Sequence, residues 1–394
     1  MPQTKTTWPI ASKKLIDFGW HSPTPEYLQG NLARIEKLPF DGVSIKLPDD
    51  AGGGYVFDLK KGAAVKAEAR NRQAKLLMAL PKSKTLTHNF LTVHGTSTLD
   101  WFSDSDWRKA ETQLRWVAQL AAQARLAGIV WDAEPYNDFP CWSYARQPQK
   151  DKYSFADYYK IVRQRGAQFI KALQEEFPGL TVLSLRQLSD FQDGSPFSAH
   201  LLPARSPETL ERGLEGAWWG LHAAFTNGIL DALTPETTFV DANEDAYYYT
   251  SAQEFERIVR VLKSDALALV ALENRRKYAA QFQVGHAVSV DYTAGNWAEA
   301  LKSFPAHLRK QSTALTPEQR AQWFEHNLYH ALNTAEEFVW VYSEDMSWWE
   351  DRKIPAGYRE AMVSARRKQS LGEPLGFEVE PVLRAAQAKL KVQK

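Results

Sequence analysis

Eight short apolar runs recur along the chain: Leu15–His21, Gly42–Lys46, Phe90–His94, Gly128–Glu134, Leu180–Arg186, Thr238–Asn243, His286–Asp291 and Phe338–Glu344. Most end in polar or charged residues that fall on one strand face. Runs of this length, bounded by turn residues, predict strands. A segment with helical periodicity follows nearly every one. Thr24-Pro25 has the form of a cap and first turn, opening a helix through Leu38. Asp106 is a candidate cap for a helix striped by Leu114, Val117, Leu120 and Ala121. Ser251 with Glu254 reads as a capping box, and Thr316 caps a helix over Pro317–Leu332. Eight strand–helix units in series predict the α/β class, as a closed (β/α)8 or TIM barrel with long loops at the C-terminal face of its strands.

The remaining segments fit that frame. Pro207 to about Leu233 reads as one helix carrying Trp218 and Trp219, and Ala356–Gln369 as the last helix, with the Lys-rich tail beyond it expected to fray. No Pro/Ser linker or repeat divides the chain, so residues 1–394 are expected to form a single barrel domain with a short polar N-terminal and a basic C-terminal tail.

Side chains alternate along a strand, one face meeting the helices and the other lining the barrel. Assigning the apolar positions outward puts Asp17 and His21 of the first strand inside. The same rule sends inward Lys46 of the second strand, Thr92 and His94 of the third, and Asp132 and Glu134 of the fourth. From the later strands come Ser184 with Arg186, Asp241 with Asn243, Ser289 with Asp291, and Tyr342 with Glu344. Buried carboxylates in such number cost several kcal/mol apiece unless paired or solvated. Convergence at one mouth, with Lys46 and Arg186 as local cations, makes the pattern tolerable.

Charge and composition narrow the chemistry. A formal net charge of +1 gives no electrostatic case for nucleic acid or an anionic membrane surface. No run of about 18 apolar residues is present to span a bilayer. The start, Met1 to Thr7, lacks the apolar core of a secretory signal, so the protein is expected to be cytoplasmic, or exported with its leader absent from this sequence. The single cysteine, Cys141, rules out an internal disulfide and a Cys-rich metal site. There is no dinucleotide fingerprint, no Walker loop (Gly52-Gly53-Gly54 lacks the following Lys-Ser/Thr) and no serine nucleophile elbow, and no cofactor is expected. Aromatics are abundant, at 12%, with 14 Trp, 15 Tyr and 19 Phe, many beside the polar strand ends. Rings with a flat apolar face and a polar edge suit sugars, and Trp101, Tyr136, Trp142, Tyr248, Trp348 and Trp349 are the candidate platforms.

The sharpest segment is Gly128 to Tyr136, which carries two carboxylates two residues apart at a strand end. Glycosidic bond cleavage uses two carboxyls, one as proton donor and one as nucleophile or base. A carboxyl among rings has its pKa raised, which suits a donor. Glu134, before Pro135-Tyr136 and a loop with Phe139, Trp142 and Tyr144, fits that role. Asp132, Asp241, Glu244 and Glu344 are candidates for the second carboxylate.

The run resembles the fourth-strand segment of (β/α)8-barrel glycoside hydrolases. Its Asp132 and Glu134 are similar to the Asp-x-Glu end of the family-18 chitinase signature, in which the Glu protonates the leaving group. Ala127 and Val130 stand where that signature has earlier aspartates. A fourth-strand Asp with a sixth-strand acid is also similar to several α-glycosidase barrels, and that likeness would pair Asp132 with Asp241 or Glu244. The resemblance implies a carbohydrate substrate. From the strand faces and mouth, Asp17, His21, Lys46, His94, Arg186, Asn243, Asp291 and Tyr342 are the further candidates to bind it. Two other readings compete: a metal-dependent barrel hydrolase or isomerase, and a barrel that binds a glycan without cutting it. Against the metal reading, no His-x-His follows the first strand and no His-Glu-x-x-His occurs.

Overall fold

The computed structural model describes residues 13–136, 141–193, 199–295, 311–344 and 346–392; the N-terminal tail, Phe139, Asp345 and the last two residues lie outside that set. Nine parallel strands are formed: β1 (Lys14–Gly19), β2 (Gly42–Ile45), β3 (Phe90–His94), β4 (Gly128–Asp132), β5 (Thr181–Ser184), β6 (Thr238–Asp241), β7 (Phe282–Val284), β8 (His286–Ser289) and β9 (Phe338–Ser343). Their hydrogen-bonded order is β7-β6-β5-β4-β3-β2-β1-β9-β8.

The two end strands of that sheet are consecutive in the chain, separated by Gly285 alone. β7 pairs with β6 and β8 pairs with β9, so the ladder passes round through one bent seventh strand. With helices covering the outside, this is a (β/α)8 barrel. The sequence predicts the seventh strand over His286–Asp291. The structure begins it at Phe282 and coils Val290–Ala294 into a short helix.

The seam explains why residue 285 is glycine. Its amide donates to the Asp241 carbonyl at 2.8 Å. A Cβ there would lie 2.9 Å from Val240 Cγ1, 3.0 Å from the Phe338 carbonyl and 3.2 Å from the Ala242 Cα. Gly285→Ala is therefore expected to destabilise the fold by about 1–3 kcal/mol through overpacking. Urea unfolding would measure it, and an unchanged midpoint would mean that the seam has room to spare.

Local chemistry starts the helices where the sequence indicates. Thr24 accepts from the Tyr27 amide, and the pairs Ser154/Asp157, Ser251/Glu254 and Thr316/Gln319 form capping boxes. Three expectations change. Ser103, not Asp106, caps the helix Asp104–Gln123, because its hydroxyl takes the Asp106 amide. The segment after Pro207 is two helices, Pro207–Gly216 and His222–Ala232, with Trp218 and Trp219 in the turn between them. The tail does not fray throughout: Glu380–Val392 is helical, and Leu383 and Ala386 are buried.

Register decides which side chains enter the barrel, because paired residues on parallel neighbours point the same way. Trp131 packs on Phe169 of the helix Phe155–Gln174 at 4.8 Å, so it faces out and Asp132 faces in, level with His94. Thr92, His94, Asp132 and Tyr342 sit inside as the alternation predicts, and Lys46 and Ser44 follow on β2.

Three strands are inverted. Phe18 packs on Trp340 at 5.3 Å and is paired with Tyr342, so β1 sends Ile16 and Phe18 inward and Asp17 outward. Val130 pairs with Leu183 and Leu183 with Val240, so Ser184 and Asp241 face the helices. The physical reason is the filling of the barrel. Its interior is occupied by Phe18, Phe90, Phe338 and Trp340 with aliphatic neighbours, all buried, so apolar character does not mark the outer face.

Candidate active site

The mouth of the barrel is organised by the turn that leaves β4. Asp132 Oδ1 accepts the Glu134 amide at 3.1 Å, a side-chain-to-backbone bond that bends the chain off the strand. Asp132 Oδ2 lies 2.8 Å from the Tyr136 hydroxyl and 3.2 Å from His94 Nδ1. The same Tyr136 hydroxyl lies 2.9 Å from Glu134 Oε2.

Arg186, two residues past β5, gathers the acids. Its Nε meets Glu134 Oε1 at 3.0 Å, Nη1 meets Asp190 at 2.9 Å and Nη2 meets Glu244 at 3.1 Å, with Asp245 3.7 Å from Nη1. Its guanidinium also stands over the Trp219 ring, 5.4 Å from the centroid. Four carboxyls around one buried cation cannot all ionise cheaply. Burial raises Glu134 above the ordinary carboxyl value, with the Arg186 charge opposing and Asp132 adding. Burial also raises Glu244 well above its ordinary value, again against Arg186.

Glu134 and Glu244, from the ends of β4 and β6, thus meet on one guanidinium, and Asp132 adjoins them. The other expected carboxylates are placed elsewhere. Asp241 faces away from the mouth and accepts the Ser189 amide and hydroxyl at 2.8 and 2.6 Å, anchoring the turn Leu188–Phe191; burial nonetheless lifts it to about 7. Glu344 accepts the Tyr342 hydroxyl, and its amide donates to Asp291 at 2.6 Å, on the β8–β9 side. Asp17 is buried behind β1 beside Trp349, and burial raises its carboxyl well above the usual range. Asn243 is buried in an outer network with Gln192, Tyr249 and His286. His21 lies against Arg352, its Nδ1 3.0 Å from Nη2.

Most of the expected aromatic platforms are core. Trp101 and Trp142 are buried, their ring nitrogens donating to the carbonyls of Cys141 and Ala133 at 3.1 and 2.7 Å. Trp348 and Trp349 pack on Phe40, and Tyr248 on Tyr292. Indole donors find backbone acceptors as readily inside as out. Tyr136 is 46% exposed at the mouth, and Trp349, though itself buried, borders the outer cleft.

Sequence reasoning missed Trp20, whose ring lies parallel to His94 at 6.2 Å and edge-on to Tyr136 at 5.2 Å. It also missed Tyr55, stacked on His94 at 4.7 Å, and Asp190 and Asp245 of the arginine cluster. Asp190, four residues after Arg186, carried a local signal; Tyr55 carried none.

Two hollows open here. An outer cleft of about 440 Å³ runs between the loops after β1, β2 and β9, with Trp20, His21, Lys46, Asp49, Trp349 and Glu350 in its wall. An inner pit of about 20 Å³, room for roughly one water, lies among Trp20, Thr92, His94, Asp132 and Tyr136. Trp20, Ser22 and Lys46 belong to both. Among the described residues, no group of three or more His, Cys, Asp or Glu side chains is arranged to hold a metal ion, and no helix is long and apolar enough to cross a membrane.

Fold and mouth together define a (β/α)8 barrel with an acidic, ring-lined C-terminal face. No family model matches the chain, and no curated protein does. The solved structures it is similar to include a GH18 chitinase from Pseudoalteromonas aurantia (9% identity, 90% of this chain and 100% of that one, TM-score 0.40). They also include a GH5-4 broad specificity endoglucanase from an uncultured bacterium (13%, 88% and 86%, 0.39) and a glucosidase from Croceicoccus marinus (8%, 91% and 68%, 0.43). The barrel itself rests on the strand ladder described above.

Proposed function

We propose that this chain is a single-domain glycoside hydrolase acting on an oligo- or polysaccharide, with Glu134 as proton donor and Glu244 as its partner. One observation carries the reading. A tyrosine hydroxyl has one hydrogen to give, yet Tyr136 is within hydrogen-bond distance of two carboxyls, 2.8 Å from Asp132 and 2.9 Å from Glu134. Both contacts are satisfied when Tyr136 donates to Asp132 and a protonated Glu134 donates to the tyrosine oxygen. Glu134 Oε1 meanwhile accepts from Arg186, so its proton sits on Oε2, and its side chain is 27% exposed. A raised carboxyl with a placed proton is what a leaving glycosidic oxygen requires.

In the proposed step the Glu134 proton passes to that oxygen as the bond to the anomeric carbon breaks. Glu244 acts in its ionised form, which the Arg186 charge at Nη2 favours against the effect of burial, and as a carboxylate it attacks the anomeric carbon or takes a proton from water. Asp132, held by its backbone and side-chain donors, positions Tyr136 and His94. Tyr136→Phe removes the acceptor of the Glu134 proton, so the basic limb of the kcat/KM profile is expected to move to lower pH. Movement to higher pH would mean that the hydroxyl donates to Glu134 instead, in which case it holds that carboxyl down.

A second reading has its own support. Glu134 and Glu244 are gripped by the same guanidinium, and such a grip equally suits a barrel that binds saccharide without cutting it. A glycan-library digest separates the two. Hydrolysis predicts product from the wild type and none above background from Glu134→Gln; equal product from both removes Glu134 from the chemistry.

A further inference from the structure

Arg186 is saturated with carboxylates, and Arg352 is tied to Glu350 at 3.1 Å and to His21. Lys46 is different. It stands one residue past β2, on the wall shared by the cleft and the pit, with its Nζ 5.4 Å from the centre of the Trp20 ring. Among the described residues no carboxylate or hydrogen-bond acceptor lies within bonding distance of that ammonium, and Asp49, on the rim of the same cleft, makes no ion pair with it.

Beneath Lys46 the pit holds two further groups without partners. Thr92 and His94 are each 3% exposed, and Thr92 Oγ1 and His94 Nε2 have no hydrogen bond. His94 Nδ1 is turned to Asp132, which leaves Nε2 on the opposite edge of the ring. Buried polar groups are ordinarily satisfied, so exceptions at a cavity wall point to something that enters.

From these positions we infer that the saccharide carries an anionic group, a uronate carboxylate or a sulfate ester, which seats against Lys46 in the cleft that Trp20 borders. The inference rests on the carbohydrate reading above. Desolvation favours the anion. A neutral sugar filling a 440 Å³ cleft would strip water from the ammonium and return no charge. An anionic group returns a charge-assisted hydrogen bond. Thr92 and His94 would then complete the polar lining of the inner end. Of the acids nearby, Glu350 is already paired with Arg352 and Asp132 is hydrogen-bonded to Tyr136 and His94, while Asp49 stands on the rim of the cleft.

The test is an array of matched acidic and neutral glycans probed with the full chain carrying Glu134→Gln, so that nothing is consumed, alongside a wild-type digest of the same set. Retention of glycans bearing a carboxylate or sulfate is expected to exceed that of their carboxyl-reduced or desulfated counterparts at least tenfold. Which of the two anions is retained identifies the source. Lys46→Met should abolish the preference and Lys46→Arg should keep it. Neutral glycans retained or cut as well as acidic ones, or a preference that survives Lys46→Met, overturn the inference and leave the hydrolase reading standing. Acidic glycans retained by Glu134→Gln but uncut by the wild type uphold the inference and overturn hydrolysis. No retention by Glu134→Gln together with no product from the wild type overturns both.

Discussion

Arg186→Met is expected to weaken the fold by about 3–5 kcal/mol at pH 7, the cost of stranding buried charges that have lost their partner. Methionine keeps the length and the contact with Trp219 while removing the cation that Glu134, Asp190, Glu244 and Asp245 share. The loss should depend on pH. Glu134 and Glu244 have folded-state pKa values raised by burial. Groups raised in this way stabilise the fold fully below their unfolded values and lose that contribution as pH rises through the folded ones. Arg186 is what opposes the rise, so its removal moves both carboxyls further up. The gap between variant and wild type should therefore widen as pH rises above the ordinary carboxyl range in urea unfolding. A gap that stayed constant, or no gap, would show that solvent rather than Arg186 balances these carboxyls.

Glu134→Gln is expected to lower kcat by about 10²–10⁴, the usual worth of a placed general acid, while leaving saccharide affinity nearly unchanged. The amide preserves shape and can still accept from Arg186 and donate to Tyr136, so the fold is not strained. The diagnostic is the leaving group. An aryl glycoside whose phenol departs without protonation should lose far less than a natural linkage in Glu134→Gln. In Glu244→Gln both substrates should suffer together. If Glu134→Gln lowered both equally, its carboxyl would be acting in some way other than by giving a proton.

The two experiments read different parts of one cluster, and their combination bears on how the mouth works. Stability lost at Arg186 with activity kept at Glu134 would describe a structural knot. The reverse would describe a solvated site whose arginine only steers. The proposed hydrolase needs both effects, because the arginine that holds Glu134 and Glu244 together is also the charge that opposes the rise of their carboxyls.

Periodicity alone was enough to place the eight strand–helix units, the caps at Thr24, Ser251 and Thr316, and the acid pair at the end of β4. These are local matters: a strand needs its run of branched and aromatic residues, a helix its first-turn acceptor, and both lie within a few residues of one another. The inward face could be read where polar and apolar positions truly alternate, as at Thr92, His94 and Asp132. It could not be read at Asp17, Ser184 or Asp241, where a barrel filled with rings makes both faces of the strand apolar. Only tertiary structure decided the split of the seventh strand at Gly285, the burial of Trp101 and Trp142, and the entry of Trp20 into the site. It also decided that Glu134 and Glu244, 110 positions apart in the chain by subtraction of their numbers, meet on Arg186. Register and pairing between distant strands set these outcomes, and a residue's own neighbours in sequence carry no record of what lies across the barrel from it.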